Sequence, residues 1–432
     1  MSGFRNIIAG NKICSNGFIP FYISVCVMVL MPVYHWFLPP FIIFWMLYFI
    51  SKIRSLQIEI RGMDPDHKTL TILFILFFIW QVAGMLYSDN LKEGWRNLEL
   101  RVSLLIFPLL LLSPGDMIRK RVHVLLKVFA ISTFSFLFFC YLYAIYRSSS
   151  IQNGSLVFNP FLPEYTWLNY FYALEFAVFQ HTSYLSMFTL LSFYIALENV
   201  FEISCIKKYK YLWLIISGIL LMSIYFLSSR AGILAALTTL PVYMFVKFKT
   251  LGKVRYFWIS SLLMIVIFVP IVLTNPRVNN YKDWREKHSS TSSTLSNDRM
   301  IIWNSARTIL KQNFILGVGT GDIQDELNKE YRSKGNFKLA RVNTNTHNQY
   351  LEILIENGLL GLIFFLSMIL MMFYIACKRR NILYLMFLLV VVISFLFETM
   401  LNRLAGVTFF SLFSFLLIID EYQKKNTLSS DK

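Results

Sequence analysis

Residues 123–145, HVLLKVFAISTFSFLFFCYLYAI, run for 23 positions with Lys127 as the one charged side chain. About 20 apolar residues in a helix match the roughly 30 Å hydrocarbon core of a bilayer. Working outward, comparable runs fall near 19–35, 40–54, 69–86, 98–113, 181–199, 210–227, 231–247, 256–274, 357–376, 381–397 and 403–419. Together these twelve take up well over half of the 432 residues. The chain is 56% hydrophobic, 17% aromatic and 15% charged, against about 25% charged in soluble domains. A water-soluble fold is thereby excluded. The expected class is all-α, a polytopic membrane protein with about 12 transmembrane helices and one large outer loop.

The net charge of +17 sits in short clusters between apolar runs, not in a recognition module or basic tail, so nucleic acid is not the implied partner. Membrane topology accounts for it. Short cytoplasmic loops carry the excess of Lys and Arg, and with the N-terminus inside, 23 of the 41 basic residues fall on inner segments. Six lie on short outer segments, at Lys92, Arg96, Arg101, Arg147, Arg230 and Arg403, and the other 12 in the outer loop 275–350. Both termini are then cytoplasmic. The division is 1–274 membrane, 275–350 outer loop and 351–432 membrane plus a short tail. The apolar stretch from Phe18 to Ile53 is too long for a signal-peptide core and is read as retained anchor. Leu38-Pro39-Pro40 breaks the first hairpin. Cys14, Cys26, Cys140, Cys205 and Cys377 form no CxxC pair or metal-ligand spacing.

Ionisable residues are nearly absent from the spans; Lys127, His181 and Glu198 all stand near predicted span ends. A proton-coupled carrier would place such groups at the midplane, so any chemistry belongs to a surface. Two segments are too long to be mere connectors. Residues 147–180, with Tyr165, Trp167, Tyr170, Tyr172 and Glu175, read as an interfacial or re-entrant piece. The loop 275–350 opens with a Ser/Thr/Asn-rich stretch at 289–297, continues as an amphipathic helix near 299–311 and passes through Gly317-Val318-Gly319-Thr320-Gly321. Those glycines lack the strand and helix of a nucleotide loop and read as a tight turn.

Arg230 lies in Ser228-Ser229-Arg230-Ala231-Gly232, a very short outer hairpin. It is either an anion clamp, with Ser228 or Ser229 capping the next helix, or an arginine snorkelling to headgroups. His347 lies in Thr346-His347-Asn348-Gln349-Tyr350-Leu351-Glu352. Thr346 and Gln349 have capping-box spacing, which predicts His347 in the first helical turn, neutral and able to accept a proton. Gln349, Glu352 and Glu356 share a helical face that reads as solvated. Asp64-Pro65-Asp66 has the spacing of an Asp-x-Asp metal motif but falls on the cytoplasmic side, as a solvated loop. Glu398 and Arg403 bracket the last outer turn, where they are expected to pair.

At the Ser-Ser-Arg-Ala-Gly turn 228–232, the Arg299 to Ala306 helix leading to Gly317-Val318-Gly319, and His347-Asn348-Gln349-Tyr350-Leu351-Glu352 followed by Glu356-Asn357-Gly358-Leu359-Leu360-Gly361-Leu362, the sequence resembles the O-antigen ligase and polymerase family of bacterial glycan transferases. The resemblance covers about residues 180–375. It implies a GT-C-like architecture in the bacterial inner membrane, an active site on the periplasmic face, and a donor glycan on undecaprenyl diphosphate. The acceptor would be a lipid A–core sugar or another glycan. Arg230 and His347 are implied as catalytic, with Arg299, Arg341, Arg403, Glu398, Asn348 and Gln349 binding diphosphate or glycan. No metal or cofactor is expected, since guanidinium groups can stabilise a departing diphosphate. A polymerase, a transferase acting on serine or threonine of exported protein, a lipid-linked glycan transporter and a structural anchor remain as alternatives. The transporter would require inverted repeats and a midplane cavity, of which the sequence shows no sign.

Overall fold

A computed structural model of the chain describes residues 18–51, 64–112, 115–162, 169–202, 206–259 and 295–419. Most of the predicted span 256–274 and of the stretch 289–297, together with Tyr165, Trp167 and both termini, lie outside the described residues.

The first hairpin is α1 (Phe18–Val33) and α2 (Leu38–Ser51). Pro39 and Pro40 fall in the first turn of α2, where the missing N–H has no intrahelical partner to lose, so they start a helix and do not interrupt one. Then come α3 (Pro65–Ala83), α4 (Leu91–Arg101), α5 (Ser103–Leu110), α6 (Gly115–Ser148), a β-hairpin of β1 (Ser149–Gln152) and β2 (Ser155–Phe158), and α7 (Ala173–Phe176). The membrane portion continues with α8 (Thr182–Phe201), α9 (Lys207–Leu227) and α10 (Arg230–Thr250). Beyond it stand α11 (Leu295–Gln312), α12 (Ile323–Ser333) and α13 (Phe337–Arg341), followed by α14 (Gln349–Lys378), α15 (Ile382–Phe395) and α16 (Leu404–Ile419). Among the described residues six helices are long and apolar enough to cross a membrane, and four shorter ones are apolar.

The predicted span 98–113 is not one helix. The chain turns at Val102 between the amphipathic α4 and the eight-residue α5, which at 1.5 Å per residue covers only about 12 Å. The charge of α4 and the Pro108 within α5 break the apolar run. Burying Arg101 at the junction is the consequence that matters below.

α8 and α16 form the centre of the bundle, with nearly every side chain of each buried. Small hydroxyl residues let neighbouring helices come close and return their hydroxyls to their own backbone: Ser186 to Thr182 O (2.6 Å), Thr189 to Leu185 O (2.7 Å), Ser414 to Phe410 O (2.6 Å). Packed around them is an aromatic cluster of Phe129, Phe188, Phe387, Phe409 and Phe413, centroids 4.7–6.2 Å apart for the contacting pairs.

The two ends of the bundle differ in charge. At one, Asp64 and Asp66 before and within the first turn of α3 pair with Arg379 and with Lys378 (2.8 Å) at the foot of α14, while Glu198 is held by Lys247 (2.8 Å) and Tyr243 (2.7 Å). The Asp-x-Asp spacing therefore serves ion pairing between helix ends, not the solvated loop expected. The other end carries the outer layer of α11, α12 and α13, with a small core of Ile302, Ala306, Ile323, Leu327 and Tyr331. The predicted amphipathic helix 299–311 is contained in α11.

Candidate functional site

α14 is broken inside its first third, and that break organises the outer end. Gly358 adopts φ 68°, ψ −170°, a region open essentially to glycine. Carbonyls released by the break are taken up by the glycine loop: Val318 N donates to Ile355 O (2.9 Å) and Gly319 N to Glu356 O (3.0 Å), while Leu359 N donates to Phe314 O (2.9 Å). Gly317 (φ 80°) and Gly358 meet backbone to backbone, so that a Cβ on either would come within 2.5 Å of the opposite chain. Thr320 then donates to Gln81 O (2.6 Å), and the Asp322 carboxylate accepts from Asp89 N (2.9 Å) and Asn90 N (2.7 Å). The glycines are therefore more than a tight turn: they lock the outer layer onto α14 and the α3–α4 junction.

Below the break lies a buried polar network. The Arg101 guanidinium donates to Glu356 Oε1 (2.5 Å), Asn402 Oδ1 (2.6 Å) and Gln81 Oε1 (3.4 Å). Asn402 Nδ2 donates to Glu352 Oε1 (2.7 Å), and Glu352 Oε2 is 2.5 Å from the Thr346 hydroxyl. Leu401 N donates to Gln349 Oε1 (2.7 Å). The face expected to be solvated is thus inside: Gln349, Glu352 and Glu356 are at most 2% exposed. A helix read alone shows its polar stripe but not the cation, Arg101, that comes from 255 residues away to meet it. Gln349 is committed to the turn before α16.

Two residues beside the candidates hold left-handed backbone. Ser228 (φ 48°) lets α9 end and α10 begin with no loop between, and the Ser229 hydroxyl caps α10 by accepting from Gly232 N (3.3 Å). Arg230 is the first residue of that helix, exposed at the outer end. His347 itself has φ 49°. The cap of α14 is Asn348, whose side chain accepts from Leu351 N (3.0 Å). The predicted capping box at Thr346 and Gln349 is not formed, because both side chains are taken by the buried network, and His347 stands outside the helix.

That position turns His347 towards the α15–α16 turn, with Nδ1 3.6 Å from Glu398 Oε2. Glu398 Oε1 accepts from the Ser183 hydroxyl (3.1 Å) at the start of α8. Burial would raise the Glu398 pKa, but the hydrogen bond from His347 and the nearby His181 charge outweigh it and hold the carboxyl below its ordinary range. Glu398 pairs with His347 here and not with Arg403 as expected, among the described residues. Arg299 of α11 donates to Phe397 O (3.4 Å), with its guanidinium 5.7 Å from the Phe397 ring centre. Its pKa is lowered first by burial and then by the like charge of Arg230, with Glu398 opposing. Two guanidinium groups thus share one field at the rim, an arrangement that an anion would relieve.

The structure accordingly brings Arg230, Arg299, His347 and Glu398 to one end of the bundle. Arg403 lies before α16, exposed and electrostatically near Tyr184 of α8. Asn348 serves as a cap. Arg341 ends α13, exposed in the outer layer, and no hydrogen bond or ion pair joins it to the others among the described residues. Among those residues no group of three His, Cys, Asp or Glu side chains is placed to hold a metal ion.

Residues 215–366, which contain Arg230, Arg299, His347 and both glycine segments, match the family model described as O-antigen ligase. A Haemophilus influenzae protein, described as uncharacterized, is 23% identical over 351 residues that cover 78% of each chain.

Proposed function

From the membership of this chain in the O-antigen ligase family, we propose that it transfers a glycan from undecaprenyl diphosphate to a sugar hydroxyl of lipid A–core at the periplasmic face of the bacterial inner membrane. The observation that carries this reading is the meeting of two guanidinium groups, Arg230 and Arg299, with the His347–Glu398 pair at one end of the bundle.

In the proposed step the acceptor hydroxyl gives its proton to His347 Nε2 as its oxygen attacks the anomeric carbon. The bond from that carbon to the diphosphate oxygen breaks, and the electron pair leaves with the diphosphate. Direct displacement inverts the anomeric centre. Arg230 and Arg299 stabilise the growing negative charge, and a half-buried guanidinium does so better than one in open water. Glu398 accepts from His347 Nδ1–H and steadies the imidazolium that forms. No divalent ion is required when arginines supply the charge. The full architecture in this reading has about twelve spans of GT-C-like type, with 1–274 and 351–432 in the membrane, 275–350 periplasmic and both termini cytoplasmic.

Purified protein with a synthetic undecaprenyl-diphosphate glycan tests the reaction. Arg230→Ala and His347→Ala should each abolish transfer with protein level and insertion intact. Near-normal transfer by either variant removes that residue from the mechanism, and loss of transfer on chelation, restored by a divalent ion, overturns the metal-free scheme. Lipopolysaccharide from a deletion strain identifies the acceptor. Bare core marks a ligase, a single repeat marks a polymerase, and intact lipopolysaccharide with lost glycoproteins marks a protein transferase.

A further inference from the structure

A second imidazole stands beside the proposed base. His181 immediately precedes α8, and its Nδ1 accepts from Ser183 N (3.4 Å), capping the helix. With Nδ1 as acceptor, the proton of the neutral ring is on Nε2. The ring packs edge-on against Tyr184, centroids 5.8 Å apart. Ser183 is also the residue whose hydroxyl reaches Glu398 Oε1 (3.1 Å), while Oε2 faces His347 (3.6 Å). Glu398 is therefore flanked on one oxygen by the capped end of α8 that carries His181, and on the other by His347. A cap needs only a short acceptor side chain, which asparagine supplies; capping alone gives no reason for an imidazole.

We propose that His181 is a positioning residue for glycan transfer: it holds the Glu398 carboxylate ionised and turned so that Oε2 stays on His347 Nδ1–H, leaving His347 Nε2 open to the acceptor proton. This rests on the reading of His347 as the base. The acceptor proton passes to His347 and then to solvent; His181 takes no part in bond making. The groups that face Glu398 are His347 ahead of α14, His181, Ser183 and Tyr184 at the head of α8, Arg403 ahead of α16, and Arg299 of α11. The sign of the effect follows from their charges. The positive charge of His181 is among the influences that keep the Glu398 pKa low, so its removal lets Glu398 take up a proton at higher pH and release its hold on His347.

The test is the pH profile of transfer by purified protein on a synthetic undecaprenyl-diphosphate glycan, comparing wild type with His181→Asn, His181→Ala and His347→Gln. His181→Asn retains a capping acceptor and removes the titrating ring. It should move the acidic limb of kcat upward by about one pH unit, a tenfold loss at mildly acidic pH, with alkaline kcat and KM close to wild type. A His181→Asn profile that superimposes on wild type while His181→Ala loses activity would reduce His181 to a helix cap and overturn the proposal. A raised KM with an unmoved limb would make it a substrate contact and overturn it equally. Transfer retained by His347→Gln sinks the base assignment itself, an outcome separable from both.

Discussion

Arg101 shows how much one side chain can decide. It is 2% exposed and paired to Glu356, which is fully buried. Removing one partner of a buried pair leaves an uncompensated charge and costs about 3–5 kcal/mol, whereas replacing both with apolar side chains is often nearly neutral. Arg101→Met should therefore lower thermal stability in detergent sharply, and Arg101→Met with Glu356→Leu should recover most of the loss. A double variant no more stable than the single would show that Asn402 and Gln81, not Glu356, are the partners that count. Because Arg101 also holds the turn that follows Glu398, the recovered double variant should still transfer glycan poorly. Arg101 stood in the sequence as one basic residue of a short outer segment. Nothing local marked it, since its partners come from α3, α14 and the turn before α16.

At the scale of elements, the broken head of α14 is the feature on which the outer layer depends. Gly358→Ala would force a side chain into a backbone region that costs roughly 1–3 kcal/mol and bring its Cβ to 2.2 Å from Ile315 O. The expected result is a lower unfolding temperature and faster proteolysis within α11 to α13, read by limited digestion, with the bundle below still protected. Digestion unchanged from wild type would mean that the loop tolerates displacement and does not lock. Gly358 and Gly317 were both visible as residues, and a turn was a sound reading of the second. That each glycine makes room for the other is a relation between segments 41 residues apart, which periodicity cannot register.

For the whole molecule, apolar runs near 20 residues long were sufficient to locate most helices, and α6, α8, α9, α10, α15 and α16 lie close to the predicted spans. The failure at 98–113 has the same origin as the successes. Hydrophobicity reports what can enter a bilayer, and α5 enters a protein interior against α16 instead, with Ser411 donating to Ser103 O (2.7 Å). Orientation in the membrane is testable at this scale. Lys338→Cys in the outer layer and Lys208→Cys at the head of α9 are exposed at opposite ends. In an otherwise cysteine-free chain, an impermeant thiol reagent applied to cells with a permeabilised outer membrane should label the first and spare the second; the reverse pattern would invert the topology and place the arginines in the cytosol. The sequence alone determined the class of protein, the positions of most spans and the identity of Arg230 and His347 as candidates, because these rest on local properties: length, apolarity and the residues within one short motif. Only the tertiary structure decided that His347 leaves its helix to meet Glu398, that Arg299 stands beside Arg230 and that the acidic face of α14 is buried on Arg101. Each of these is an electrostatic contact between distant parts of the chain, and a charge's partner is set by where the packed helices bring it.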